Sequence, residues 1–198
     1  MNKSHAMLEG YHDKGVIEMK KIEIVPVMTE LLFAVTLASA ILFFFCPTIV
    51  RGESMENTLQ DRDYIIVAKQ AYRSHEPERG DVVIVQSALT NDGHRKNRLI
   101  IKRIIGLPGD IISIRNSRIY INGEIGSEEY TKDGITPAID IPKENGSVTV
   151  PANCCYLLGD NRCNSLDSRS YEIGFVKIEN IKGKAVLRLF PFSEIRIF

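Results

Sequence analysis

Apolar residues follow two rhythms along this chain. From Leu31 to Val50 the run LLFAVTLASAILFFFCPTIV carries no charge and no polar face. Its length matches the hydrocarbon core of a bilayer, so it predicts a transmembrane helix, set at 27–50. A core helix so apolar all round would need protein on every side. A cleavable signal peptide is a poor match: the run starts some 30 residues in, exceeds the usual apolar region and lacks a small-residue cleavage site before Arg51.

Beyond Arg51 the period becomes two, in short runs rich in β-branched residues. YIIVA (64–68), DVVIVQ (81–86), RLIIKRIIG (98–106), DIISI (110–114) and RIYI (118–121) predict strands. CYLLG (155–159), FVKIENI (175–181), KAVLRLF (184–190) and EIRIF (194–198) predict four more. Turn chemistry separates them at Arg79-Gly80, Pro108-Gly109, Asn116-Ser117 and Asn122-Gly123, the last a hairpin signal in its own right. The stretch from about Ser127 to Ser147, with Pro137 and Pro142, is poor in strand pattern and reads as loop or flap. The expected organisation is a tail at 1–26, the helix at 27–50 and a mainly β domain at 51–198, with about 107–152 a small β/loop insertion.

Charge changes the picture in two ways. With 25 basic and 25 acidic side chains, and no Lys/Arg block longer than Lys20-Lys21, the chain lacks the electrostatic footprint of a nucleic-acid binder. Lys3, Lys14, Lys20 and Lys21 before the span favour a cytoplasmic N-terminus, and a following domain of nearly 150 residues translocates largely regardless of its own charge. Residues 51–198 are therefore expected outside the cell membrane. Cys46 lies in the expected span; Cys154, Cys155 and Cys163 remain, as free thiols or with Cys163 bridged to one of the adjacent pair.

The candidate chemistry begins at RGESMENTL (51–59), where Ser54 follows the apolar run by a few residues. A nucleophilic serine needs a base. His5 and His12 are in the tail, His75 and His94 are in polar segments, and no serine is followed three residues later by lysine. The His/Cys complement has no metal-ligand spacing, and no cofactor is implied. A lysine in apolar surroundings can also serve, because desolvation disfavours the ammonium and leaves a free lone pair near neutral pH. Lys102, between Ile100-Ile101 and Ile104-Ile105, is the candidate. Strand alternation puts Lys102 and Arg103 on opposite faces, so one points into apolar surroundings unless both lie at a solvated sheet edge. LGDNRCNSLDSR (158–169) follows an apolar strand with more polar detail than a connection requires; alone, it reads equally as a turn ion-paired through Asp160, Arg162, Asp167 and Arg169.

Taken together, GESMENTL, RGDVVIV, IIKRIIGLPGD and GDNRCNSLDSR resemble the four boxes of bacterial type I signal peptidases, in family order after one N-terminal span. The match is to the Gram-positive-like, single-span form of these Ser/Lys peptidases and covers nearly everything from residue 31 onward. The resemblance implies a signal-peptidase/LexA-like β fold, Ser54 as nucleophile and Lys102 as general base. It implies Ser165 as the serine that orients the lysine, with Asp160, Asp167 and Arg169 bracing the site. The implied partners are secretory preproteins cleaved at Ala-x-Ala-type sites and the lipid bilayer, with no obligate protein partner. Val50, Met55, Leu59 and Ile101 are the candidate walls against the small residues preceding the cut. Two positions depart from the family pattern. Gly52 replaces a serine that supplies an oxyanion contact in many relatives, and Asn57 replaces a proline, which is expected to loosen the turn after the nucleophile.

Three other functions match parts of the sequence. A sortase-like transpeptidase would use His94, Cys154 or Cys155, and Arg169, but no cysteine follows a recognisable sortase motif. A self-cleaving repressor would lack the span. A membrane-anchored scaffold descended from a peptidase would bear Asn57 as a sign of decay.

Overall fold

The computed structural model describes residues 24–91 and 94–198, without the side chains of 24, 74 and 88–97. The tail at 1–23, with His5 and His12, lies outside the described residues, as does the His94 side chain.

Helix α1 (Ile24–Phe44) carries Pro26 in its first turn, where a missing N–H breaks no helical hydrogen bond. Its side chains are exposed all round, and it is long and apolar enough to cross a membrane. The helix ends six residues before the expected limit of 50. Phe45–Ile49 forms strand β1 instead, because Pro47 cannot continue a helix and Thr48 and Ile49 favour an extended backbone. β1 pairs antiparallel with β2 (Tyr64–Ala68), from Phe45 opposite Ala68 to Ile49 opposite Tyr64. The end of the uncharged run is thus the first strand of the β domain.

After a short helix α2 (Ala71–Ser74), β3 (Val82–Asn91) and β4 (His94–Gly106) form a long hairpin. β5 (Ile111–Arg115), β6 (Arg118–Ile121), β7 (Glu124–Ile125) and β8 (Ser147–Thr149) make a four-stranded antiparallel sheet in the order β7-β6-β5-β8. Asn122 and Gly123, with φ of 54° and 88°, form the tight β6–β7 turn that the Asn-Gly pair predicts. β9 (Cys154–Leu158), β10 (Val176–Lys177), β11 (Ile181–Phe190) and β12 (Arg196–Ile197) complete the larger sheet. Its order is β1-β2-β11-β3-β4-β9-β10, with β12 on β11.

The central strands are continuous apolar runs because the larger sheet is covered on both faces. Val82 and Ile84 pack with Val50, Met55, Leu59, Ile65, Val67 and Ala185 on one side. Val83 and Val85 pack with Ile104, Cys155, Leu157 and Val176 on the other. Ile112, Ile114 and Ile119 of the small sheet share a third cluster with Ile105, Val150, Tyr156 and Leu158. The segment 127–147 has no regular element until β8 begins at its end.

Candidate active site

Ser54 sits on a turn that leaves β1 and is pinned to the sheet at both ends. The Val50 N–H donates to the Asp63 carbonyl and the Arg62 N–H to the Val50 carbonyl, each at 2.9 Å. Gly52, at φ 89°, turns the chain, and its N–H donates to Asp61 Oδ1 at 2.8 Å. The N–H groups of Thr58 and Leu59 both donate to the Met55 carbonyl, so Met55 and Leu59 anchor the turn in the core and leave Ser54 half-buried above it. The Ser54 N–H has no acceptor among the described residues, whereas its carbonyl accepts from the Asn161 N–H at 3.1 Å.

β4 delivers Lys102 to this turn from opposite Val83. The side chain is buried, 3% exposed, and Nζ lies 2.6 Å from Ser54 Oγ in a hydrogen bond. Burial lowers the ammonium's pKa from 10.5 to about 8; Asp167 and Asp160 pull it back up, and Arg169 and Arg98 add to the lowering. At mildly alkaline pH the amine is half neutral and can take the hydroxyl proton.

Arg103 is also buried rather than at a solvated edge, because its own face meets the loop after β9. Its Nε and Nη2 donate to the two oxygens of Asp160 at 2.9 and 2.6 Å, Nη1 to the Gly80 carbonyl, and Nη2 to Thr58 Oγ1 at 3.0 Å. Strand alternation alone favours a solvated sheet edge for both Lys102 and Arg103; here both are buried, because each face of β4 is covered. Asp167 and Arg169 form a second two-pronged pair at 2.8 Å, with both side chains fully buried. Arg169 donates further to the carbonyls of Arg162 and Pro137, and Asp167 accepts the Gly159 N–H. The loop 159–169 is therefore held by ion pairs and also packs against the Ser54 turn, where the Asn161 N–H meets the Ser54 carbonyl.

Ser165 lies inside that closure. Its Oγ is buried and has no hydrogen-bond partner among the described residues. A Cβ on Gly159 would stand 2.2 Å from Ser165 Oγ and 2.4 Å from the Ser54 carbonyl oxygen, so the loop and the Ser54 turn touch through bare backbone.

A cleft of about 870 Å³ opens beside Ser54 and Lys102. Val50, Met55 and Ile101 line it, as do Ile84 and Leu166, which the sequence did not single out. Leu59 does not line it: it is fully buried with Met55 and Val50, one layer below the surface. Polar positions around the cleft include Glu53, Asp61, Arg98 and Asn164.

Residues 22–190 match the family described as signal peptidase, peptidase S26. The chain belongs to that family. Signal peptidase I of Bacillus licheniformis is 36% identical over 182 residues, covering 89% of this chain and 94% of the relative. That of Bacillus amyloliquefaciens is 37% identical over 186 residues, with the same coverage. A signal peptidase I crystal structure from Enterococcus faecalis V583, 31% identical, matches 56% of this chain and 97% of its own at a TM-score of 0.44.

As a member of the signal peptidase family the protein is a serine endopeptidase. All four cysteines are free, and burial pushes the Cys155 thiol up to about 12, far from the thiolate a sortase needs. The two departures from the signal-peptidase pattern have structural answers. The Gly52 N–H is occupied by Asp61, so it is not a spare oxyanion donor. Asn57, at φ 87°, donates from its Nδ2 to the carbonyls of Tyr130 and Thr131, contacts that a proline could not make.

Proposed function

We propose that the chain cleaves N-terminal signal peptides from exported preproteins at Ala-x-Ala-type sites with a Ser54/Lys102 dyad. The observation that carries this reading is the 2.6 Å contact between Ser54 Oγ and a buried Lys102 Nζ whose pKa is lowered to about 8. The neutral amine accepts the hydroxyl proton as Oγ attacks the scissile carbonyl. The Ser54 N–H, which has no other acceptor among the described residues, donates to the developing oxyanion. The Lys102 ammonium then protonates the leaving amine, and the same nitrogen takes a proton from the water that hydrolyses the acyl-serine.

Ser165, with an unpartnered hydroxyl beside the dyad, is the candidate to accept a hydrogen bond from the ammonium once it forms. Asp160, Asp167 and Arg169 hold the loop that carries it. The substrate is read as an extended strand along β4, whose stretch 98–102 pairs with β3 on one side and meets β9 only from Arg103 onward. Val50, Met55, Ile84 and Ile101 would then give shallow apolar walls that accept alanine and exclude larger side chains. Helix α1 would hold the enzyme in the cell membrane as a single-pass protein, N-terminus cytoplasmic, with Ser54 only ten residues past its end at Phe44.

The test is cleavage of a preprotein bearing an Ala-x-Ala site by the detergent-solubilised chain. Ser54→Ala is expected to abolish cleavage and Lys102→Ala to lower kcat by about 10² to 10⁴-fold or more. Cleavage that survives Ser54→Ala would remove the dyad, and no cleavage by a folded wild-type chain across several preproteins would favour a scaffold.

A further inference from the structure

Asn57 follows the nucleophile by three residues and has a backbone that proline cannot adopt. Its φ is 87°, whereas the proline ring fixes φ near −65°. The positive φ aims the side-chain amide away from the core, and Nδ2 donates to the Tyr130 carbonyl at 3.2 Å and the Thr131 carbonyl at 3.3 Å. Neither carbonyl has another donor among the described residues.

Residues 130–132 are themselves fastened to the loop that closes the site. The Lys132 N–H donates to the Asp160 carbonyl at 3.2 Å, and the Tyr130 ring lies 4.2 Å from the guanidinium of Arg103, the partner of Asp160. Beside Asn57, Glu56 Oε2 accepts from Lys132 Nζ at 2.6 Å and from Asn161 Nδ2 at 3.1 Å. The nucleophile turn, residues 130–132 and the loop from Gly159 are thus joined pairwise, and Asn57 ties the first to the second.

We propose that Asn57 is a positioning residue: its side-chain amide, in place of a proline ring, fixes the nucleophile turn by tying it to residues 130–132, and so sets Ser54 against Lys102. The inference rests on the reading of Ser54 as nucleophile. Its consequence is that the 127–147 segment, remote in sequence, tunes the rate of the chemical step.

Three substitutions separate backbone from side chain in the full-length, detergent-solubilised chain. Asn57→Gly keeps the positive φ at no steric cost and removes the amide. Asn57→Asp keeps the size and replaces the donor with an acceptor facing two carbonyls. Asn57→Pro supplies the ring and forbids the φ. Each is expected to lower kcat about tenfold, Asp at least as much as Gly, with KM within about twofold of wild type. Hydrogen exchange across 128–134, measured for Ser54→Ala with and without Asn57→Gly, is expected to quicken at the Lys132 and Gly134 amides. Unchanged kcat in Asn57→Gly, an Asn57→Pro enzyme as fast as wild type, or unchanged exchange would each overturn the proposal. Because the exchange comparison needs no turnover, it reads the tie even if Ser54→Ala still cleaves and the dyad itself fails.

Discussion

Lys102 and Arg103 are adjacent, buried and opposite in consequence. Burial lowers the Lys102 ammonium's pKa to about 8, which suits it to the role of base proposed for it. Arg103 meets both oxygens of Asp160 with its guanidinium. A buried pair of this kind adds little net stability over an apolar replacement, but removing one partner strands the other's charge. Asp160→Ala is therefore expected to cost about 3–5 kcal/mol in denaturant unfolding, and Arg103→Met with Asp160→Leu together much less than the sum of the two single changes. A loss within about 1 kcal/mol for Asp160→Ala would mean that Arg103 finds water or another carboxylate. Lys102 stood out in the sequence as a candidate through its flanking isoleucines, and the resemblance of IIKRIIGLPGD to the family's lysine box gave it weight. Arg103 did not, because alternation distinguishes two faces of a strand without revealing that both are covered.

Among the elements, the contact between the nucleophile turn and the loop after β9 sets the site, and Gly159 is where they meet. A Cβ there would come within 2.2–2.6 Å of the Ser165 side chain and the Ser54 carbonyl, separations that real atoms do not tolerate. Gly159→Ala must push the two apart, and a displacement approaching 1 Å at reacting groups costs about 10²-fold in rate. The expected result is a kcat lowered by roughly that factor in steady-state cleavage of a preprotein; a near-wild-type kcat would show that the loop yields without disturbing Ser54. No local pattern announces such a glycine, since the atoms it makes room for lie far away in sequence. Strands β2, β5 and β6 were legible because their apolar alternation is local. β1 was hidden at the end of an apolar run that reads as membrane, and the β3–β4 hairpin extends through Thr90, Asn91 and Arg95, whose polarity masks its pairing.

At the scale of the whole molecule, one apolar helix precedes a two-sheet β domain in which all the proposed chemistry resides. If this domain cleaves peptides with Lys102 as its base, the pH dependence of kcat/KM reports the ionisation of that lysine. Because the Lys102 pKa falls from 10.5 to about 8 on folding, the native state holds fewer protons than the unfolded chain between those values. Stability from this group therefore rises with pH across that window and is lost as pH falls through about 8. Activity shares the sign, since only the neutral amine is a base: kcat/KM is expected to rise about tenfold per pH unit below the transition and level off above it. Measured on the detergent-solubilised chain, a midpoint near 8 would agree with Lys102 as base. A rate already flat from about pH 6 upward would assign the base to a group that ionises lower, such as a histidine or carboxylate, and contradict the account.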